Sequence, residues 1–121
     1  MQSKGNDLSE RFLEFAAHII KLMVRINKSP TGRHISGQLT RSGTSAGANY
    51  EEACGAESRA DFIHKMQLVL KELRESVYWL RLIKKTNFIK EGDKTLDAIL
   101  QEARELTNIT AKSIVTAKEK K

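Results

Sequence analysis

The residues of this chain whose types and spacing could do chemistry are few. Asp61 and His64 stand three apart, which puts them on one face of a helix. A carboxylate-bridged di-iron bundle needs two Glu-x-x-His pairs of that kind and two further glutamates. The lone Asp61-x-x-His64 falls far short, and Ser58 with Asp61 reads more simply as a capping box. His18, His34 and His64 lie on different helices or at different heights, and no two make a metal-ligand spacing. The segment from Gly37 to Thr44 has glycines but no lysine after them, so it is not a phosphate loop. Cys54 has no fixed histidine partner and reads as a small apolar residue inside a bundle. Tyr78 and Trp79 could stack on bases, but such side chains more often fill a helix interface. No nucleophile with an acid–base couple emerges, so no catalytic residue, metal or cofactor is expected.

Two groups of polar residues remain. The first is Arg41, Asn49, Glu75 and Arg104, on what read as inner helices. With a turn near Ser58, Arg41 lies level with Arg74 and Glu75. With a second turn near Ile89, Glu75 lies level with Arg104. The expectation is a structural polar network, a buried ion-pair layer that fixes helix register.

The second group is cationic. Residues 21–34 hold Lys21, Arg25, Lys28 and Arg33 with no acid, a charge of +4. Residues 81–97 hold Arg81, Lys84, Lys85, Lys90 and Lys94 against Glu91, Asp93 and Asp97, a charge of +2. Together they carry the whole net charge of +6. An up-down topology puts both windows at one end, opposite Glu51, Glu52, Glu57 and Asp61. Two chemistries fit: cations that complement helix C-terminal dipoles, or cations that meet the phosphates of RNA or DNA.

The elements that must position these groups are helices. Leu8, Phe12, Phe15, Ile19, Leu22 and Ile26 recur at four- and three-residue steps and predict a helix over about 8–27, with Asp7 and Glu10 as its capping box. Ser29 and Pro30 open a second helix, about 30–56, whose stripe is Ile35, Leu39, Ser42, Ala46, Asn49 and Ala53. Gly37, Gly43, Gly47 and Gly55 all fall within it, and each glycine inside a helix costs about 1 kcal/mol relative to alanine. Such a set suggests close backbone approach, to a neighbouring helix or across a subunit contact that Tyr50, pointing outward, would allow. A third helix covers about 59–85, with Phe62, Met66, Val69, Leu73, Ser76 and Leu80 as its seam. A fourth covers about 94–117, followed by a tail expected to fray. Strand signals are absent. Long helices joined by short connections lie antiparallel to their neighbours. The expectation is one all-α domain, an antiparallel up-down-up-down four-helix bundle over residues 1–121.

Composition agrees. The 121 residues are 40% hydrophobic and 30% charged, the balance of one soluble domain. No apolar run reaches the roughly 20 residues of a membrane span. The N-terminus does not read as a secretory signal. The lone cysteine makes a reducing cytoplasm the expected location, where the triplets at Asn27 and Asn108 are chance glycosylation matches.

From Gln38 to Leu82 the chain reads QLTRSGTSAGANYEEACGAESRADFIHKMQLVLKELRESVYWLRL. This resembles the four-helix bundle family whose founding members are encoded in intervening sequences of bacterial 23S rRNA genes. The family pattern, QL.RSG.S...N..EA and then S..DFI.K.....KE..E..YWL, is carried by Gln38, Leu39, Arg41, Ser42, Gly43, Ser45, Asn49, Glu52 and Ala53. It continues in Ser58, Asp61, Phe62, Ile63, Lys65, Lys71, Glu72, Glu75, Tyr78, Trp79 and Leu80. Helix one fits through Arg11, Phe12, Phe15 and Ala16, and helix four matches by character alone. The resemblance implies an all-α homopentamer without enzymatic activity. The family includes the accessory variability determinant of diversity-generating retroelements, a basic pentameric bundle that binds nucleic acid and its cognate reverse transcriptase. This chain is more similar to the intervening-sequence branch. The leading expectation is therefore a nucleic-acid-binding, RNA-associated accessory bundle. The rival is a protein-binding adaptor, such as a partner of a reverse transcriptase, and an enzyme is a distant third.

Overall fold

The computed structural model describes residues 4–120. Four helices follow one another: α1 Lys4–Met23, α2 Pro30–Cys54, α3 Arg59–Lys85 and α4 Lys94–Glu119. No strand occurs among the described residues. The helices form an all-α four-helix bundle in which each packs on its chain neighbours and α4 closes back on α1. The α1–α4 side is the sparsest of the four.

Local chemistry sets the boundaries. Ser29 accepts from Gly32 N at 3.0 Å and caps α2, with Pro30 in its first turn. Ser58 accepts from Asp61 N at 3.0 Å and caps α3. Asp93 caps α4 through Thr95 N and Leu96 N, at 3.0 and 3.1 Å. Asn87 and Gly92 have φ of 57° and 83°, and these left-handed residues bracket the α3–α4 connection. Four boundaries differ from those read off the periodicity, the end of α2 at Cys54 by two residues. α1 begins at Lys4, so Asp7 lies in its first turn instead of capping it. α1 also ends at Met23, where Arg25 N and Ile26 N reach back only three residues, to Leu22 and Met23. That tightening still leaves Ile26 buried. α4 continues as helix through Glu119, past the expected start of fraying.

The core runs the length of the bundle through Phe12, Phe15, Ile19, Leu22, Leu39, Leu73, Leu80 and Leu106. At mid-bundle Ser42 and Ser76 are fully buried: Ser76 Oγ donates to Glu72 O at 2.9 Å and accepts from Ser42 Oγ at 2.8 Å. Thr110 is equally buried, and its hydroxyl has no partner among the described residues.

The stripe of α2 is corrected near its end. Tyr50, not Asn49, turns inward, buried and stacked on Phe12 with ring centroids 4.9 Å apart. A helix of 3.6 residues per turn drifts from a seven-residue pattern, and at Tyr50 the drift moves the inward position along by one. Tyr50 is thus no outward contact, and burial, then a hydrogen bond with Cys54, pushes its phenol pKa up. Cys54 is exposed, not a core residue. The glycines of α2 divide by role. A Cβ on Gly43 would stand 2.5 Å from Ile19 Cδ1, and one on Gly47 would stand 3.1 Å from Phe12 Cβ. These two let α1 and α2 approach closely within one chain. Gly37 faces open space.

Candidate nucleic-acid interface

The C-terminus of α1, the N-terminus of α2, the C-terminus of α3 and the N-terminus of α4 share one end of the bundle. There Lys21, Arg25, Lys28, Arg33, Arg81, Lys84, Lys85, Lys90 and Lys94 are all exposed. Two of them have acidic partners. Arg25 Nη2 donates to Asp93 Oδ2 at 2.8 Å, and Lys84 Nζ donates to Asp97 Oδ1 at 3.0 Å. The Arg25 guanidinium and then the Leu96 backbone N–H hold the Asp93 carboxyl below its ordinary pKa. The other seven make no ion pair among the described residues.

Helix dipoles account for a minority of this charge. Only Lys21, Lys84 and Lys85 lie in the last turn of a helix, where a cation is favourable. Lys28 and Lys90 lie in the connections. Arg33 and Lys94 lie in the first turns of α2 and α4, where the dipole opposes a positive charge.

The polar network takes a different shape from the one expected. Arg41 donates to Glu75 Oε2, and at 3.2 Å to Glu72 Oε1. Trp79 Nε1 donates to Glu75 Oε2 at 3.0 Å. Arg41 and then Trp79 lower the Glu75 pKa. The Arg41 side chain is 47% exposed and Glu75 28%, so this is a surface clasp between α2 and α3, not a buried layer. Asn49 stands apart, its side chain donating to Ser45 O of its own helix at 3.0 Å. Arg104 also lies outside the cluster. Glu75 is on the side of α3 that meets α2, whereas Arg104 comes from α4, so equal height did not bring them together.

Arg104 instead lines a concavity of about 380 Å³ with Arg81, Lys84, Lys85, Asn87, Glu91 and Leu100. Sequence reading missed this grouping. Charge and height along the bundle were readable from the sequence, but the side of α3 beside which Arg104 stands was not. A larger groove of about 890 Å³ opens at the far end, floored by Leu8, Tyr50, Phe62 and Ile109. Two of its four lining cations, Arg11 and Arg59, are held, and Lys112 and Lys120 are the others. Arg11 Nε donates to Glu102 at 3.0 Å and Nη2 to Glu105 at 3.0 Å, and Arg59 donates to the Lys120 carbonyl.

His34 and Tyr78 both meet Trp79 edge-on, at 6.0 and 5.0 Å between centroids. Trp79 is half-buried, but Tyr78 is 57% exposed and does not fill a helix interface. No group of three or more His, Cys, Asp or Glu among the described residues could hold a metal ion. No helix among them is long and apolar enough to cross a membrane.

Residues 4–112 match the family model described as 23S rRNA-intervening sequence protein. Among solved structures, the chain is similar to a protein of unknown function from the S23 ribosomal protein family of Bacteroides thetaiotaomicron VPI-5482. The two are 36% identical with a TM-score of 0.80, over 88% of this chain and 97% of that one. No protein of curated function matches significantly.

Proposed function

The chain belongs to the family of 23S rRNA-intervening sequence proteins, and on that premise we propose that it is a non-enzymatic bundle that binds nucleic acid, RNA foremost, through its basic end. The observation that carries this reading is the seven exposed cations at one end without an acidic partner, two of them placed against a helix dipole. Their electrostatic cost to the free protein is offset when phosphates neutralise them. No base-reading motif accompanies them, so affinity rests on backbone contacts and sequence selectivity is weak.

The test is a binding titration against structured RNA, single strands and duplex DNA at several salt concentrations. Affinity should fall steeply with salt. Replacing Lys84 and Lys85 with glutamine should weaken binding to every sequence about equally. Absence of binding at low salt would leave the protein-adaptor reading in its place.

A second feature supports self-association. Leu13 and Ile20 on α1 and Val24 just past its end are 65%, 47% and 61% exposed and fall on one outer stripe. Single exposed apolar residues are ordinary, but a stripe at helical spacing favours a partner surface. We take that partner to be further copies of the chain, as the family resemblance to pentameric bundles implies. Small residues of α2 do not support this, because Gly43 and Gly47 already serve the α1–α2 contact. A ring would repeat the basic end once per subunit and raise avidity for a long polyanion. Light scattering that returns a monomer at micromolar concentration would sink the assembly without touching the nucleic-acid reading.

A further inference from the structure

We infer that the pocket between α3 and α4 seats a backbone phosphate of an unpaired nucleic-acid segment, with Phe88 as the adjacent stacking face for a base. This rests on the nucleic-acid reading above and sharpens it to a strand type and a place.

The pocket differs from the rest of the basic end in shape and in available donors. It is concave, and it brings together cations from two helices, Arg81 and Lys85 from α3 and Arg104 from α4. None of these three has a carboxylate partner among the described residues. Lys84 is held by Asp97 at 3.0 Å, and Glu91 is the single acid in the lining. Paired guanidinium groups suit phosphate, since each presents a planar fork of donors that matches its oxygens. The α1–α2 turn offers a weaker place: Arg25 is already bonded to Asp93, and Lys21, Lys28 and Arg33 do not line this concavity.

The loop beside the pocket supplies the strand preference. Phe88 is 36% exposed, between Asn87 of the pocket lining and Ile89 of the core. Asn87 takes a left-handed φ of 57°, and Ile89 is 3% exposed and anchors the loop to the bundle. About a third of the Phe88 surface is therefore open to solvent, in a short connection that follows Lys84 and Lys85 and precedes Lys90 in the chain. Exposed aromatic faces beside backbone-binding cations are how proteins hold single strands without reading sequence. In a duplex the bases are stacked on each other and offer Phe88 no free face, so the pocket and the ring together favour unpaired nucleotides.

The experiment is fluorescence anisotropy with a labelled, unstructured single-stranded RNA and with the duplex of the same sequence, over a salt series. Circular dichroism checks that each variant is folded. The wild type should bind the single strand about tenfold or more tightly than the duplex. R81Q/R104Q should lose about tenfold on the single strand and lower the salt slope by about 0.7, as one phosphate contact requires. F88A should lose about fivefold or more on the single strand, as loss of base stacking requires, with the salt slope unchanged. F88Y should bind like wild type. K21Q/K28Q, at the α1–α2 turn, should lose less than R81Q/R104Q. Binding by R81Q/R104Q and F88A equal to wild type would overturn this inference and leave the general nucleic-acid reading standing. Equal losses from K21Q/K28Q and R81Q/R104Q would spread the contact over the whole end and overturn the pocket. A preference for duplex would overturn the strand assignment. A wild type that binds nothing would overturn both readings.

Discussion

The contact between Gly43 and Ile19 can be tested by moving one methyl group across it. Ile19 is fully buried, and its Cδ1 lies 2.5 Å from where a Cβ on Gly43 would stand. Ile19→Val deletes that methyl and should cost about 0.5–1.5 kcal/mol, the usual penalty for this truncation in a core. Gly43→Ala gains about 1 kcal/mol of helix propensity. It also forces two methyl groups into one space, and overpacking costs about 1–3 kcal/mol. The net is a loss of about 0–2 kcal/mol. In the double variant the alanine methyl takes the volume that valine vacates. The clash and the void cancel, the propensity gain survives, and stability should equal or exceed wild type by up to about 1 kcal/mol. The cycle should therefore show a favourable coupling of about 0.5–4.5 kcal/mol in urea unfolding. If the two single effects add to within about 0.5 kcal/mol, Gly43 is not seated on Ile19 and the account of α1–α2 packing is wrong.

Three further outcomes follow from polar groups. Thr110→Val should raise stability by about 1 kcal/mol in denaturant titration, because it removes a buried hydroxyl without a partner and keeps the shape. Arg41→Ala should cost less than about 1 kcal/mol in the same assay, because the clasp is partly exposed and screened; a loss of about 3 kcal/mol or more would mean that the pair is buried. The Glu75 pKa is held below its ordinary 4.5, so its contribution is complete above that value and disappears as pH falls through the folded-state pKa. Unfolding free energies between pH 7 and pH 3 should show a shallower acid limb for Glu75→Gln than for wild type, with Asp93 leaving a residual slope of the same sign.

The helices were legible because their apolar positions repeat and their starts carry side chains that bond the first free N–H groups. Ser29, Ser58 and the Pro30 turn fixed two starts to the residue. The start of α1 was not legible, since Lys4, Gly5 and Asn6 carry no apolar period. Asn49 and Tyr50 were exchanged because a heptad template and a straight helix part company after several turns. The basic end was visible as charge, but its concavity was not. Arg104 was assigned by height along the bundle, and height does not say which side of α3 a side chain approaches. Ser42 and Ser76 both appeared on seams, yet their hydrogen bond emerged only from the packed helices. Phe88 gave no signal in sequence, because an exposed ring in a short loop breaks no pattern.

The thin α1–α4 side has a consequence for motion. Polar ties reach across it: Arg11 to Glu102 and Glu105 near one end, and Arg25, just past α1, to Asp93 near the other. The two backbones approach each other at few points there, and across α2 the first helix rests partly on bare glycine. Charged ties weaken in salt, whereas buried side chains do not. α1 is thus the part of the bundle least bound to the rest, a detachable stave in a barrel whose other three helices stay in contact. Amide protons of α1 should exchange through a local opening below the global unfolding free energy, and added salt should lower that opening further while those of α3 hold.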